Sequence, residues 1–145
     1  MKRFHFRLQS VLKWRFLQLE LAEEKLQELF NERQRLEDSR ASLEAAKAEA
    51  ERSVLGAQRV AAYELAALDT HRRWLATQQQ RLAEQTEDCK ARIAAQRERV
   101  RNAERDLKVL EKLKERRLTE WSAAVDKEYQ ALAEEVYLAQ WQRSG

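Results

Sequence analysis

Proline is absent from this 145-residue chain, and glycine occurs only at Gly56 and Gly145. These residues interrupt helices most strongly, because in a helix interior proline costs about 3 kcal/mol and glycine about 1 kcal/mol relative to alanine. Their scarcity removes the usual barriers to one or two very long helices. With 37% charged residues and abundant Ala, Leu, Glu, Arg, Lys and Gln, the composition is typical of a coiled coil rather than a compact domain.

Groups that carry chemistry are also scarce. Cys89 is the only cysteine, so an internal disulfide is excluded and a reducing cytosol is the simpler assignment. His5 and His71 stand without a second His or Cys at metal-ligand spacing, and no glycine-rich phosphate loop is present. A two-helix coil also offers little concavity to keep water away from a nucleophile. The sequence therefore predicts no enzyme activity, no metal and no cofactor.

Long apolar runs are missing as well. No stretch approaches the roughly 20 apolar residues that a membrane-spanning helix requires, and Lys13 and Arg15 interrupt the region where a signal peptide would need an apolar core. The 28 basic and 25 acidic residues are mixed along the chain, which makes long-range attraction to nucleic acid or anionic lipid weak. We therefore expect a soluble, cytoplasmic protein that does not bind nucleic acid.

The first part of the chain carries a heptad repeat. Ten of the 14 positions visited by alternate steps of four and three residues, starting at Leu8, are apolar. A seam sustained for this length is typical of a helix in a left-handed coiled coil, and we expect helix 1 over about residues 6–54. The seam positions are Leu8, Leu12, Arg15, Leu19, Ala22, Leu26, Leu29, Arg33, Leu36, Arg40, Leu43, Lys47, Ala50 and Val54.

A second seam follows Gly56. Glycine is favoured just past a helix end because it adopts positive φ without a Cβ clash, so we expect a turn over about residues 55–61. Helix 2 is then expected over about residues 62–141. Its seam positions are Ala61, Leu65, Leu68, Arg72, Leu75, Gln79, Leu82, Thr86, Cys89, Ile93, Gln96, Val100, Ala103, Leu107 and Leu110.

The order of apolar and polar positions along the two seams favours an antiparallel pairing. A register that sets Leu12 opposite Leu107 and Leu26 opposite Ile93 also sets the polar stretch of helix 1 opposite that of helix 2. We therefore predict an all-α fold, an antiparallel two-helix coiled coil (helical hairpin) with the second helix longer, in one domain over residues 1–145. Its polar middle should be its softest part. The rival architecture is one long helix running through Gly56 and dimerising in parallel with a second copy.

In this register helix 2 extends beyond helix 1 from about residue 116. An apolar stripe of this extension would lie uncovered, and such a stripe normally marks an interaction surface. Most of the chain's aromatic residues, which are enriched in binding hot spots, also lie toward this end. Alternatively, the stretch from Phe4 to Phe16 simply folds onto the extension. The stripe comprises Leu118, Trp121, Val125, Tyr129, Leu132, Val136 and Ala139.

The same pairing brings two basic runs together, one before Phe16 and one from Arg99 to Arg117. Neighbouring acids such as Glu104 and Glu111 favour an ordinary solvated helix face. The alternative is a basic, aromatic end that enters an acidic socket on a partner.

Three segments resemble the flagellar export protein FliJ family. They are the opening MKRFHFRLQSVLKWR, the segment LEKLKERRLTEW over residues 110–121, and DKEYQALAEE over residues 126–135. The resemblance spans nearly the whole chain, including Gly56 and the following Tyr63. One departure is Ala133, where such sequences often carry Asp in a Leu-Asp-Glu triplet.

The resemblance implies a cytoplasmic component of the bacterial flagellar type III export apparatus, peripherally associated with the inner membrane through protein partners. Proteins of this family are antiparallel two-helix coils similar to the central stalk of rotary ATPases. The implied partners are the flagellar export ATPase hexamer, the export gate protein FlhA and the export substrate chaperones. The alternatives are a homologous stalk protein of a virulence type III secretion system and, more distantly, a structural coiled-coil scaffold or a nucleic-acid-associated coil.

Two sets of residues are candidates for these contacts. For the export ATPase ring we expect basic and aromatic residues near the open end of the hairpin: Arg7, Lys13, Trp14, Arg116, Arg117 and Trp121. For the export gate we expect residues near the turn that lie off the main seam: Tyr63, Ala66, Thr70 and Trp74.

Overall fold

The computed structural model describes residues 2–144, and within that range the chain forms two α-helices and no strand. Helix α1 spans Gln9–Leu55 and helix α2 spans Ala62–Ser144. They pack against each other as a helical hairpin with the second helix longer, which confirms the predicted fold class. The rival architecture, one helix running through Gly56, is wrong because the chain turns between Leu55 and Ala62.

Gly56 ends α1 for a reason that differs from the expected one. Its φ is not positive, and its amide still donates to the Arg52 carbonyl at 3.1 Å, as in a helix. The following amide, of Ala57, turns to the Val54 carbonyl at 3.4 Å, which tightens the last turn. A Cβ on Gly56 would lie 2.6 Å from the Arg52 carbonyl oxygen. Glycine is therefore required here for space rather than for left-handed backbone.

Helix α1 begins at Gln9 rather than near residue 6. The chain turns just before it, where the Gln9 amide donates to the Phe6 carbonyl at 3.1 Å. This turn directs the Phe6 side chain inward, where only 7% of it remains exposed. Burying a phenylalanine stabilises the chain by about 1.5–3 kcal/mol, which offsets the loss of a first helical turn.

Burial follows the predicted seams. In the described part of α2, every buried residue lies on the second seam: Leu68, Leu75, Cys89, Ile93, Gln96, Val100 and Leu107. On the first seam, Leu29 is buried and the other positions are partly buried, except for the exposed Arg40 and Lys47. Leu65 departs from the prediction, since it lies on the second seam and is 48% exposed.

The chain divides into two compact units, which we call unit 1 and unit 2. Unit 1 comprises Met1–Glu20 and Arg101–Gly145, and unit 2 comprises Leu21–Val100. The core of unit 2 is formed by Leu29, Cys89 and Ile93, with partly buried apolar residues packed around them. Unit 1 has Phe6 and Leu107 as its buried apolar residues within the described range.

Two side chains of α2 reach backbone carbonyls of α1 inside unit 2. Cys89 Sγ lies 3.5 Å from the Leu29 carbonyl oxygen, and Gln96 Nε2 donates to the Ala22 carbonyl at 2.9 Å. The predicted register sets these side chains opposite Phe30 and Glu23, so the observed pairing is offset by one residue. Because both groups are buried and bonded, they fix the position of one helix along the other.

The polar stretch of the seams leaves a cleft of about 390 Å³ in unit 2. Arg40 does not cross the seam but pairs with Glu44 on its own helix at 3.4 Å. Fewer apolar groups are buried here than around Ile93. The cleft is lined by Arg40, Glu44, Gln79, Leu82, Ala83, Thr86, Glu87 and Lys90.

Neither helix contains, over residues 2–144, a segment with the length and apolarity that crossing a membrane demands. In the same range no three or more His, Cys, Asp and Glu side chains are grouped as a metal site would require.

Candidate partner-binding surfaces

In unit 1 the segment Lys2–Leu8, called here the N-terminal segment, packs against α2 through Trp121. The indole Nε1 donates to the Lys2 carbonyl at 3.1 Å. The rings of Phe4 and Trp121 lie with centroids 5.9 Å apart and planes tilted by 57°, a favourable arrangement for two aromatic quadrupoles. For Phe4 and Phe6 the structure therefore follows the alternative in which N-terminal aromatics fold onto the extension of α2. Trp121 is partly buried as a result.

The N-terminal segment and α2 enclose a hollow of about 800 Å³, called here the basic hollow. It brings together three of the six residues predicted for the ATPase contact, namely Arg7, Arg117 and Trp121. Its lining contains four Lys or Arg side chains and one His but no carboxylate. The complete lining is Lys2, Arg3, Phe4, His5, Phe6, Arg7, Leu8, Leu113, Arg117 and Trp121.

The other three predicted residues lie outside the basic hollow. Lys13 lines a groove of about 500 Å³, whose apolar wall is formed by Leu12, Phe16, Leu17 and Leu107. Trp14 is 51% exposed, and the Arg15 guanidinium carbon lies 4.9 Å from the centroid of its ring. Arg116 is exposed on α2. The predicted set thus lies within unit 1 but is divided between the basic hollow, the groove at Lys13 and the exposed positions of Trp14 and Arg116.

Sequence reasoning missed part of the apolar surface around Trp14. Val11 and Leu17 are 41% and 53% exposed, and neither lies on the heptad seam. These exposed positions could have been identified from the sequence, because apolar residues at off-seam positions of a helix cannot be covered by a single antiparallel partner helix. With Trp14 and Phe16 they leave an exposed apolar surface on the first turns of α1.

The part of α2 beyond Trp121 is exposed almost throughout. Val125 is partly buried, and every described residue from Asp126 onward is exposed. The predicted apolar stripe is therefore bare from Tyr129 onward. Trp141, which is 69% exposed, extends this apolar surface further along the helix.

The four residues predicted for the export gate lie together on one face of α2 in unit 2. They follow each other at helical steps of three and four residues, which aligns them along the helix. Tyr63 is 75% exposed and Trp74 is 53% exposed. The Thr70 hydroxyl donates to the Ala66 carbonyl at 3.1 Å and so does not project as a free donor. We call this surface the Tyr63–Trp74 stripe.

His71 belongs to the Tyr63–Trp74 stripe, although sequence reasoning considered it only as an unmatched metal ligand. Its ring stacks on Trp74 with a centroid distance of 5.9 Å and an angle of 17° between planes. Their contact could have been predicted from sequence, because side chains three residues apart lie on the same face of a helix. His71 thus adds a second ring beside the exposed indole.

A bidentate ionic contact joins the two helices in unit 2. Arg92 donates to both carboxylate oxygens of Glu32, at 2.6 and 3.1 Å, and to Asp88 at 3.0 Å. The hydrogen bond from Arg92 lowers the pKa of Glu32 below its ordinary value of 4.5, and the bond to Glu32 raises the pKa of Arg92. Because these groups are exposed to solvent, the pair contributes orientation more than stability.

Comparison with known proteins identifies one family. A family model described as flagellar FliJ protein matches residues 4–145, essentially the whole chain. This match confirms the resemblance noted in the sequence. No curated protein and no solved structure matches the chain.

Proposed function

Because this chain belongs to the flagellar FliJ protein family and is thus a flagellar export-related protein, we propose that it is a stalk-like coiled coil of the export apparatus. In this role it binds the ring of the export ATPase, promotes assembly of that ring, and links it to the export gate protein FlhA and to substrate chaperones. It acts as a non-catalytic component on the cytoplasmic side of the inner membrane, held there by protein partners.

The observation that carries the ATPase assignment is the exposed aromatic and basic surface of unit 1. Trp14 is half exposed although tryptophan is among the most favourable residues to bury. Lys13, Arg116 and Arg117 surround the first turns of α1 and the facing part of α2 with exposed positive charge. Such a combination supplies both a desolvated anchor and electrostatic steering toward a partner.

Trp14 and Trp121 have different roles in this proposal. Trp14 offers its ring to solvent, whereas Trp121 already contacts Phe4 and the Lys2 carbonyl. Trp14 is therefore the anchor for the ring, and Trp121 supports the N-terminal segment that carries Arg7. Arg7 and Arg117 contribute charge from the rim of the basic hollow.

For the export gate we propose the Tyr63–Trp74 stripe. Its aromatic residues are exposed on the side of α2 that faces away from the buried Leu68 and Leu75. A partner can thus bind them without opening the hairpin. Ala66 and Thr70 lie between the two aromatics and allow a close approach to the helix, because their side chains are small.

A crossed experiment tests both assignments. Trp14→Ala and Trp74→Ala remove the same side chain from two positions of nearly equal exposure, 51% and 53%. We expect Trp14→Ala to reduce stimulation of the export ATPase by tenfold or more, the scale of a hot-spot residue, and to leave gate binding unchanged. Trp74→Ala should reduce gate binding and leave ATPase stimulation unchanged. Each variant is therefore the matched control for the other.

Two outcomes would contradict the assignments. If Trp14→Ala stimulates the ATPase as well as the unchanged chain does, unit 1 does not bind the ring through this residue. If Trp74→Ala binds the gate with unchanged affinity, the Tyr63–Trp74 stripe is not the gate surface.

A further inference from the structure

The basic hollow combines positive charge with an apolar floor. Leu113, Phe4 and Trp121 form apolar parts of its wall, while Arg3, Arg7 and Arg117 stand exposed around it. No carboxylate belongs to the lining. A concave site with one sign of charge and low-dielectric walls focuses the electrostatic potential, so it attracts anionic groups more strongly than a flat surface of equal charge.

The excess of positive charge is local to the basic hollow. Of the five Lys and Arg residues that precede Glu20, the first acidic residue in the sequence, Arg15 pairs with Asp106 of α2 at 3.1 Å, whereas Lys2, Arg3 and Arg7 line the basic hollow. Arg117 pairs with Glu120 at 3.4 Å, but both side chains are more than half exposed. An ion pair of this kind contributes little and can exchange for a partner's carboxylate.

The aromatic residues decide between two classes of anionic partner. A membrane-binding segment would present its aromatic rings outward for insertion between lipids. Here Phe6 is 7% exposed and Phe4 rests on Trp121, so both rings contact protein. The remaining surface is a hollow large enough to accept a side chain, which suits a polypeptide better than a lipid surface.

We propose that the basic hollow binds an acidic peptide segment of a protein partner. Its carboxylates contact Arg3, Arg7 and Arg117, and one apolar side chain enters against Leu113 and Trp121. The N-terminal segment, held on α2 through Trp121, positions two of these three arginines. The inference deepens the proposed ATPase contact, because Arg7, Arg117 and Trp121 belong to both, and it specifies that the partner's contacting segment is acidic.

The test measures peptide binding directly and needs no ATPase. The probe is a fluorescein-labelled peptide of alternating Glu and Leu residues, followed by anisotropy against the full chain, with a Gln and Leu peptide as the uncharged control. We expect the chain to bind the acidic peptide and not the uncharged one. The double variant Arg3→Glu with Arg7→Glu should lower the affinity for the acidic peptide about tenfold or more. The matched control is Arg59→Glu with Arg81→Glu, which makes the same change of charge at exposed positions of unit 2 and should alter binding less than about twofold.

A second measurement identifies the class of partner. Co-sedimentation with phosphatidylglycerol vesicles should give no more binding than with uncharged phosphatidylcholine vesicles. Preferential binding to the anionic vesicles, with no binding of the acidic peptide, would overturn the proposal in favour of a membrane surface. Equal weakening by the two double variants would also overturn it, since the effect would then come from net charge and not from the basic hollow.

The two proposals can fail separately. Arg3 and Arg7 precede α1 and are exposed, so their variants should retain the helical circular dichroism of the unchanged chain. Loss of peptide binding in the Arg3 and Arg7 variant, together with undiminished ATPase stimulation, would support the acidic-peptide site and remove it from the ATPase contact. If the wild-type chain does not bind the acidic peptide, the inference is rejected, whereas the test of the ATPase contact with Trp14→Ala is unaffected.

Discussion

The replacement Ile93→Ala tests whether the core of unit 2 holds the hairpin together. Ile93 is 4% exposed and packs with Leu29 and Cys89 in that core. The substitution removes three buried carbon atoms, worth about 2.4 kcal/mol at about 0.8 kcal/mol for each. The cavity left behind adds a further cost, but a core bounded by only two helices can relax around it. We therefore expect a loss of about 2–3.5 kcal/mol in the free energy of unfolding, in the lower part of the range for such substitutions.

The assay is urea unfolding followed by the circular dichroism of the helices, with linear extrapolation to water. Leu132→Ala is the matched control, since Leu132 lies on the same helix and is 53% exposed. Its replacement should change the free energy of unfolding by less than about 0.5 kcal/mol. A loss below about 1 kcal/mol for Ile93→Ala would refute the reasoning. Equal losses for both variants would also do so, because Leu132 would then have to be buried, for instance against a second copy.

Two further predictions concern the ion pair in unit 2 and the end of α1. The pKa of Glu32 is lowered chiefly by the hydrogen bond from Arg92, so its contribution to stability is present above the ordinary value and is lost as the pH falls through the lowered pKa. Glu32→Gln should therefore reduce the urea midpoint slightly at about pH 7, and this deficit should shrink as the pH falls through the lowered pKa. A deficit that stays constant into acid would contradict this, and the exposed Glu135→Gln should have little effect at any pH. Gly56→Ala should destabilise the chain by about 1 kcal/mol, because the added Cβ would meet the Arg52 carbonyl oxygen. The control is Ala57→Ser in the same turn. If the two variants have equal stability, the turn adapts to the added Cβ and the prediction is wrong.

The helices and their contact faces could be predicted from sequence, because the heptad repeat places apolar residues at the positions that become buried between the two helices. Cys89, Ile93 and Val100 are buried as their seam positions indicate. The polar stretch at Arg40 and Lys47 likewise predicted where burial would be poor. These features depend on local periodicity, which a sequence carries explicitly.

Other features depend on contacts between distant parts of the chain and could not be read from periodicity. Residues 2–8 have enough apolar and basic residues to continue α1, but the burial of Phe6 and the contacts with the facing Trp121 make the non-helical arrangement more favourable. Leu65 has the seam spacing, yet it lies one turn from the start of α2 at Ala62, where the partner helix is about to end at Leu55. The basic hollow likewise could not be predicted from periodicity, because it is formed by the N-terminal segment and a part of α2 that are far apart in the sequence.

Burial and exposed apolar surface are distributed differently between the two units. Seven of the nine buried residues in the described range, from Leu29 to Val100, belong to unit 2, whereas unit 1 contributes Phe6 and Leu107. Unit 1 nevertheless carries Trp14, Tyr129 and Trp141 at half exposure or more. Apolar side chains that remain in water do not stabilise the isolated chain, so folding does not explain their presence there. Replacing such exposed side chains should change the affinity for a partner while leaving the free energy of unfolding nearly constant. For this reason a loss of ATPase stimulation or of gate binding in Trp14→Ala or Trp74→Ala can be attributed to binding rather than to unfolding.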